Sequence, residues 1–339
     1  VVAAVLAELA GIEGLRQAEP GEFTRRAFEN GRIDLAEAEG LADLLGAETE
    51  SQRRSALALA GGALSRQVAA WQPRLVALAA RVEAVIDFSD EGEVGGVLPP
   101  AWGEELRGLL ADIAQALARP PAERLRDGVR VVIAGPPNSG KSSLLNWLAG
   151  RQAAITSAIA GTTRDLVEAP TAIGGTPFLL VDTAGLRATT DEIERIGVAR
   201  AAQSLAAADL ILWLGPPADC PDPPRSLVIQ SKIDIAAPDP AADVSVSAET
   251  GEGMDGLVAL LIERARSLLP AEGEAALNAR HRQALRGAAA AIEAAGSTDD
   301  VLLVADHLRS ARADLGRVIG GDGVEAMLDA LFGRFCIGK

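Results

Sequence analysis

The stretch GPPNSGKS, Gly135–Ser142, ends a glycine-bounded turn on a lysine and a hydroxyl and matches GxxxxGK(S/T) in full. Its chemistry is phosphate binding. A turn of this kind between strand and helix aims successive backbone N–H groups at one anion, and the helix N-terminus adds a favourable field. Lys141 is placed to reach the β- and γ-phosphates of a nucleoside triphosphate, and Ser142 offers a hard oxygen to Mg²⁺. Asn138, Ser139, Gly140 and Ser143 complete the phosphate-binding set.

Two further stretches supply what such a loop requires. VDTAG, Val181–Gly185, puts Asp182 at the end of an apolar run, where a carboxylate serves Mg²⁺ directly or through water, and Gly185 offers an N–H to the γ-phosphate. GTTRD, Gly161–Asp165, precedes the strand expected to pair with the VDTAG strand. A threonine there can complete Mg²⁺ coordination, and the sequence does not separate Thr162 from Thr163. The residue after Gly185 is Leu186, which can neither orient a water nor move a proton. Base recognition falls to SKID, Ser231–Asp234: Asp234 accepts from the guanine N1–H and exocyclic amine, and Lys232 lays its stem along the ring. Ser247 and Ala248 follow in SAE, with the Ala248 N–H directed at guanine O6. Ser231 stands where asparagine is usual. The expectation is a brace that is shorter or absent, with weaker affinity and unchanged guanine specificity.

These residues need a sheet behind them. From Arg130 the chain reads strand, glycine-rich turn, helix, and then further short strands in DLVEAPTAI, PFLLVDTAG, ADLILWLG, RSLVIQSKID and ADVSVSAE. This is α/β organisation ending near Leu269. Helical patterns flank it on both sides. Asp34 and Glu37 have the spacing of a capping box ahead of a helix with Leu35, Ala38, Leu41, Ala42 and Leu45 on one face. Gly61-Gly62 and Pro73 are expected to interrupt or bend the helices that follow, and Trp102–Ala118 is helical up to Pro120-Pro121. Stretches 272–295, 298–319 and 323–333 read as helices again. The fold class expected is multidomain, α plus α/β, with the nucleotide-binding domain and its mixed sheet (residues 123–270) inserted into a helical domain made of residues 1–122 and 271–339.

The 339 residues carry 32 basic and 47 acidic side chains, a net charge of −15, which opposes a nonspecific nucleic-acid coat without excluding a local basic patch such as Arg25, Arg26 and Arg32. Two cysteines form no disulfide scaffold and suit a reducing, cytoplasmic setting. Apolar runs break well short of the ~18 residues of a membrane span.

PGEFTRRAFENGRIDLAEAEGLADLLGAETE (Pro20–Glu50), IDFSDEGEV (Ile86–Val94) and the terminal FCIGK (Phe335–Lys339) resemble the bacterial and organellar tRNA-modifying GTPase family MnmE, also called TrmE, over nearly the whole chain. The resemblance implies an N-terminal domain that binds a tetrahydrofolate derivative and holds a homodimer. That domain would precede Val1. It implies K⁺-activated hydrolysis of GTP to GDP by paired G domains, with Glu194 in DEIERIG as the catalytic residue that orients water. Read alone, Glu194 is a solvent-facing helical glutamate. The K⁺ ligands implied are the Asn138 side chain and backbone carbonyls near Ser157, Ile159 and Thr162, although Ser157 and Ala158 depart from the more usual Thr-Asp. A cation there stands where an arginine finger would. Cys336 reads from its neighbours as a small buried hydrophobe, and from the family as a candidate at the modification centre. The implied partners are tRNA and the FAD-carrying MnmG (GidA), which together install an aminomethyl or carboxymethylaminomethyl group on the wobble uridine. Two other readings fit the G-domain signatures alone: a ribosome-assembly GTPase, and a noncatalytic nucleotide-dependent scaffold.

Overall fold

The structure, a computed structural model, describes residues 2–87, 98–150, 167–182, 202–271, 273–321, 331–332 and 335. The chain divides into two compact units: one of residues 1–46, 56–119 and 279–339, and one of residues 47–55 and 120–278. Residues 47–55, 120–122 and 271–278, expected with the helical part, group with the α/β unit.

The α/β unit is built on a six-stranded sheet. Its strands are β1 (Val129–Ala134), β2 (Val167–Ile173), β3 (Thr176–Asp182), β4 (Leu210–Trp213), β5 (Ser226–Gln230) and β6 (Val244–Ser245), in the order β2-β3-β1-β4-β5-β6. Only β2 runs antiparallel, joined to β3 through Gly174 and Gly175, whose φ of 57° and 77° are those of a two-residue hairpin turn. Alternation along β1 feeds both faces. Val129, Val131 and Ile133 pack with Leu144, Leu145 and Leu148 of α8 (Lys141–Gly150) and with Leu257 and Leu261 of α9 (Met254–Leu268), while Val132 and Ala134 join Val181 and Ile211 on the other face.

The helical unit contains α1 (Val2–Ala10), α2 (Glu22–Glu29), α3 (Leu35–Leu45), α5 (Ala63–Asp87), α6 (Pro100–Ala118), α10 (Ala279–Gly296) and α11 (Val301–Ile319). Helix α4 (Glu50–Ala60) starts in the α/β unit and finishes here, and α7 (Ala122–Asp127) leads into β1. On α5 the buried residues Leu64, Val68, Trp71, Leu75, Leu78, Val82 and Val85 recur alternately every four and three positions, a stripe that packs on α6 and α11. Pro73 falls on the exposed side of that helix and does not end it, whereas Gly61-Gly62 do separate α4 from α5. The capping box at α3 is formed: Glu37 N–H donates to Asp34 Oδ1 and Asp34 N–H to Glu37 Oε2, both at 2.9 Å. The helix expected from residue 272 begins only at Ala279, because the preceding backbone goes elsewhere: Leu277 O accepts from Ala122 N–H at 3.1 Å and Glu274 O from the Ser55 hydroxyl at 3.2 Å.

Beneath α3 lies a buried charge cluster. Arg280 grips Glu39 through two bonds of 2.8 Å and donates to the Arg317 and Val318 carbonyls at 2.5 and 3.0 Å, and His281 Nε2 lies 2.8 Å from Glu39 Oε2. The next residue on α3, Gly40, meets the end of α4 so closely that a methyl there would overlap the backbone of Leu59 and Ala60. Gly40→Ala gains helix propensity worth about 1 kcal/mol, but the overlap costs about 3 kcal/mol. A lower urea midpoint is therefore expected, and a variant as stable as the parent would refute the close packing.

Candidate functional site

The site is assembled where parallel strands end. In an α/β sheet of this kind, ligands bind outside the carboxyl ends of the strands. The phosphate loop leaves β1 after Ala134, Asp182 closes β3, SKID follows β5, and Ser247-Ala248 follow β6 after Val246. The register of β1 with β3 pairs Ile133 with Asp182, which brings the carboxylate beside the loop.

Lys141 is buried, and its ammonium donates to the carbonyls of Pro136 (2.6 Å) and Gly135 (3.1 Å). Ser142, the next residue on α8, donates its hydroxyl to Asp182 Oδ2 at 2.7 Å. That pair of hard oxygens suits Mg²⁺, which takes one or two protein oxygens together with phosphate oxygens and water. Among the described residues no group of three or more His, Cys, Asp or Glu side chains gathers as a metal cage. The hydroxyl–carboxylate pair would hold such a cation with the nucleotide's own oxygens.

The base loop is tied to the phosphate loop by two side chains. Ser231 Oγ donates to the Ser139 carbonyl at 2.7 Å, and Lys232 Nζ to the Asn138 carbonyl at 2.8 Å. Of the two alternatives expected at Ser231, a shorter brace or none, the structure shows the shorter one. Gly140, at φ 91°, has no side chain, and a Cβ there would stand 3.5 Å from Ser231 Cβ. The two loops approach closely enough for a short serine arm to reach across. Asn138 and Lys232 both adopt left-handed backbone, with φ of 59° and 63°. Such conformations cost a residue with a Cβ about 1–2 kcal/mol, and the cross-loop bonds help hold them. Asp234 is oriented from below: the fully buried Ser247 donates its hydroxyl to Asp234 Oδ1 at 2.7 Å and accepts from Thr250 N–H at 3.2 Å. Ala248 is half-buried beside it. Ser143 is exposed on the first turn of α8.

Gly185, Glu194, Ser157, Ile159, Thr162, Thr163 and Cys336 lie outside the described residues. Of the K⁺ set, Asn138 is described.

The family model described as MnmE helical domain matches residues 35–336. This chain belongs to the MnmE family. It is 59% identical over 341 residues to the tRNA modification GTPase MnmE of Rhizorhabdus wittichii, covering 100% of this chain and 77% of that protein. The MnmE proteins of Erythrobacter litoralis and Sphingopyxis alaskensis are 54% and 53% identical, again over 100% of this chain and over 80% and 84% of their own lengths. The MnmE architecture is thus a helical domain with a P-loop GTPase unit between its segments, and no helix among the described residues is long and apolar enough to cross a membrane. That the Ser231 brace lands on the Ser139 carbonyl was not legible in the MnmE-like motifs, because it joins residues 92 positions apart.

Proposed function

We propose that this chain binds GTP with Mg²⁺, hydrolyses it to GDP and phosphate, and couples that cycle to modification of the wobble uridine of tRNA. The observation that carries the reading is the joined pair of loops. Ser231 and Lys232 bond to the phosphate-loop carbonyls of Ser139 and Asn138, while Ser247 aims Asp234. One arrangement therefore presents a carboxylate for guanine and N–H groups for phosphate at a fixed separation.

Each residue has a defined task. Backbone N–H groups of residues 138–143 and the Lys141 ammonium hold the phosphates, and Ser142 with Asp182 would hold Mg²⁺, joined by Thr162 or Thr163. When bound, that cation supplies charge neutralisation across the β- and γ-phosphate oxygens. Gly185 donates its N–H to the γ-phosphate. Glu194 orients the attacking water, which Leu186 cannot do. Asn138, with carbonyls near Ser157, Ile159 and Thr162, would hold K⁺ and add positive charge beside the transferred phosphoryl group. Two G domains pair across this face.

The relatives are named tRNA modification GTPases. For this chain the finer reading is a cytoplasmic enzyme working with MnmG, which brings FAD, on a one-carbon unit from a tetrahydrofolate derivative. The product is 5-aminomethyl- or 5-carboxymethylaminomethyluridine, and Cys336 is the candidate side chain at that centre. The test is GTP turnover in KCl and in NaCl at equal ionic strength over a range of protein concentration. An acceleration by K⁺ of about tenfold, rising with concentration and lost in Glu194→Ala, is expected. Equal slow rates in both salts would sink the K⁺-dependent pairing.

A further inference from the structure

Gln230, the last residue of β5, directly precedes the base loop, and its amide makes contacts beyond that loop. Nε2 donates to the Ala237 carbonyl at 2.7 Å. Oε1 accepts from the backbone N–H of Asp239 and from the Ser245 hydroxyl, the latter at 2.9 Å. Donor faces carbonyl and acceptor faces two donors, so the amide orientation follows from its partners. Ser245 is the register partner of Gln230 in β6, and Gln230 O accepts from Val246 N–H at 2.7 Å. Side chain and backbone of one residue thus grip both β6 and the far limb of the loop. The clamp point is itself a fixed turn: Asp239 Oδ1 accepts from Ala241 N–H at 2.9 Å, and Asp239 O from Ala242 N–H at 3.2 Å.

Ser247 holds the Asp234 carboxylate and the Ile233 N–H donates to the Val246 carbonyl at 3.3 Å, and the clamp adds a hold on the limb that follows. Residues 234–241 are exposed, Ile235 at 79%, so apolar burial contributes little to their placement. Pro238 and Pro240 have no backbone N–H to donate. Within the loop closed by Gln230 lie Ser231, Lys232 and Asp234. We infer that Gln230 is a positioning residue for guanine recognition: its amide closes residues 231–236 into a loop of fixed shape, which sets the angle at which the Asp234 carboxylate meets the exocyclic amine. This rests on the reading of Asp234 as the guanine-binding carboxylate.

The experiment compares GDP with IDP, which lacks the exocyclic amine, by calorimetric titration of the full chain. Thermal melts are run alongside. Gln230→Leu is expected to weaken GDP binding by about tenfold and IDP binding by less, so that the GDP-to-IDP affinity ratio falls about threefold or more. A role in folding alone would lower the melting temperature and leave that ratio unchanged. Gln230→Glu keeps the acceptor for Asp239 and Ser245 but loses the donor to Ala237. It should lower the ratio by a smaller factor, and it replaces the leucine variant if the latter does not fold. An unchanged ratio in a folded variant overturns the role of Gln230 while leaving the guanine reading intact. A parent chain that does not prefer GDP to IDP overturns the guanine reading itself.

Discussion

Lys141→Met is expected to weaken GTP binding by about 10²- to 10³-fold while leaving the chain folded. The ammonium of Lys141 is buried at the start of α8 and held by the Gly135 and Pro136 carbonyls, so it already points along the loop that would wrap the phosphates. Bonds from it to phosphate oxygens would be charge-assisted and shielded from water, and truncating one partner of such a pair costs about 2–5 kcal/mol. At about 1.4 kcal/mol per tenfold, the middle of that range, about 3–4 kcal/mol, is the loss stated. Methionine keeps most of the length of the apolar stem. Equilibrium titration with a fluorescent GTP analogue reads the change, with a thermal melt as the control for folding. An affinity within about threefold of the parent would remove Lys141 from the phosphate site.

Glu39→Ala is expected to lower stability at neutral pH by about 3 kcal/mol. Arg280, Glu39 and His281 have side chains only 15%, 13% and 0% exposed, so removing the carboxylate leaves a guanidinium and an imidazole buried without their shared acceptor. Arg280 retains the carbonyls of Arg317 and Val318, which keeps the cost at the low end for a broken buried pair. Burial pushes the Glu39 carboxyl up, but hydrogen bonds from His281 and Arg280 more than reverse this and hold it at about 2, against an ordinary 4.5. Burial pushes the His281 imidazole below its ordinary 6.5, with Glu39 pulling only partly back. Both folded pKa values are depressed, so in both cases the unfolded chain binds more protons on acidification. Stability should therefore fall with pH in two stages. The first begins below 6.5, as the unfolded chain takes up the proton that native His281 refuses. The second runs from about 4.5 to 2, as Glu39's contribution is lost. Urea titrations across that range check it. Glu39→Ala should flatten the lower stage, and a loss under about 1 kcal/mol at pH 7 would show the cluster to be incidental.

The residues that read most clearly from sequence are those whose role depends on near neighbours. The phosphate loop is contiguous, the capping box spans Asp34 to Glu37, and the apolar stripe of α5 repeats within one helix. In each case the interacting groups are brought together by a local backbone geometry that a short stretch already implies. The expectation of helix from residue 272 failed for the opposite reason. Its alanine-rich composition favours helix, yet residues 274–277 carry backbone bonds to Ser55 and Ala122 from distant segments, and tertiary partners override propensity. At Ser231 the sequence left open a shorter brace or none. The substitution shortens the side chain, but how far the brace must reach depends on how closely the two loops pack, and here they pack within reach of a serine hydroxyl.

The sequence by itself determined the β-strand–loop–helix unit with its phosphate-loop motif, the reading of Asp234 as the base-recognition carboxylate, and the helical segments that flank that unit, since all three follow from residue types at short spacing. Tertiary structure alone decided which groups hold those readers in place. Ser247 reaches Asp234, Ser231 and Lys232 reach the phosphate loop, Gln230 closes the base loop, and Arg280 with His281 meets Glu39 across some 240 residues of chain. The physical reason is range. A hydrogen bond or ion pair acts over about 3 Å, and only the completed sheet and helix packing bring groups so distant in sequence within that distance.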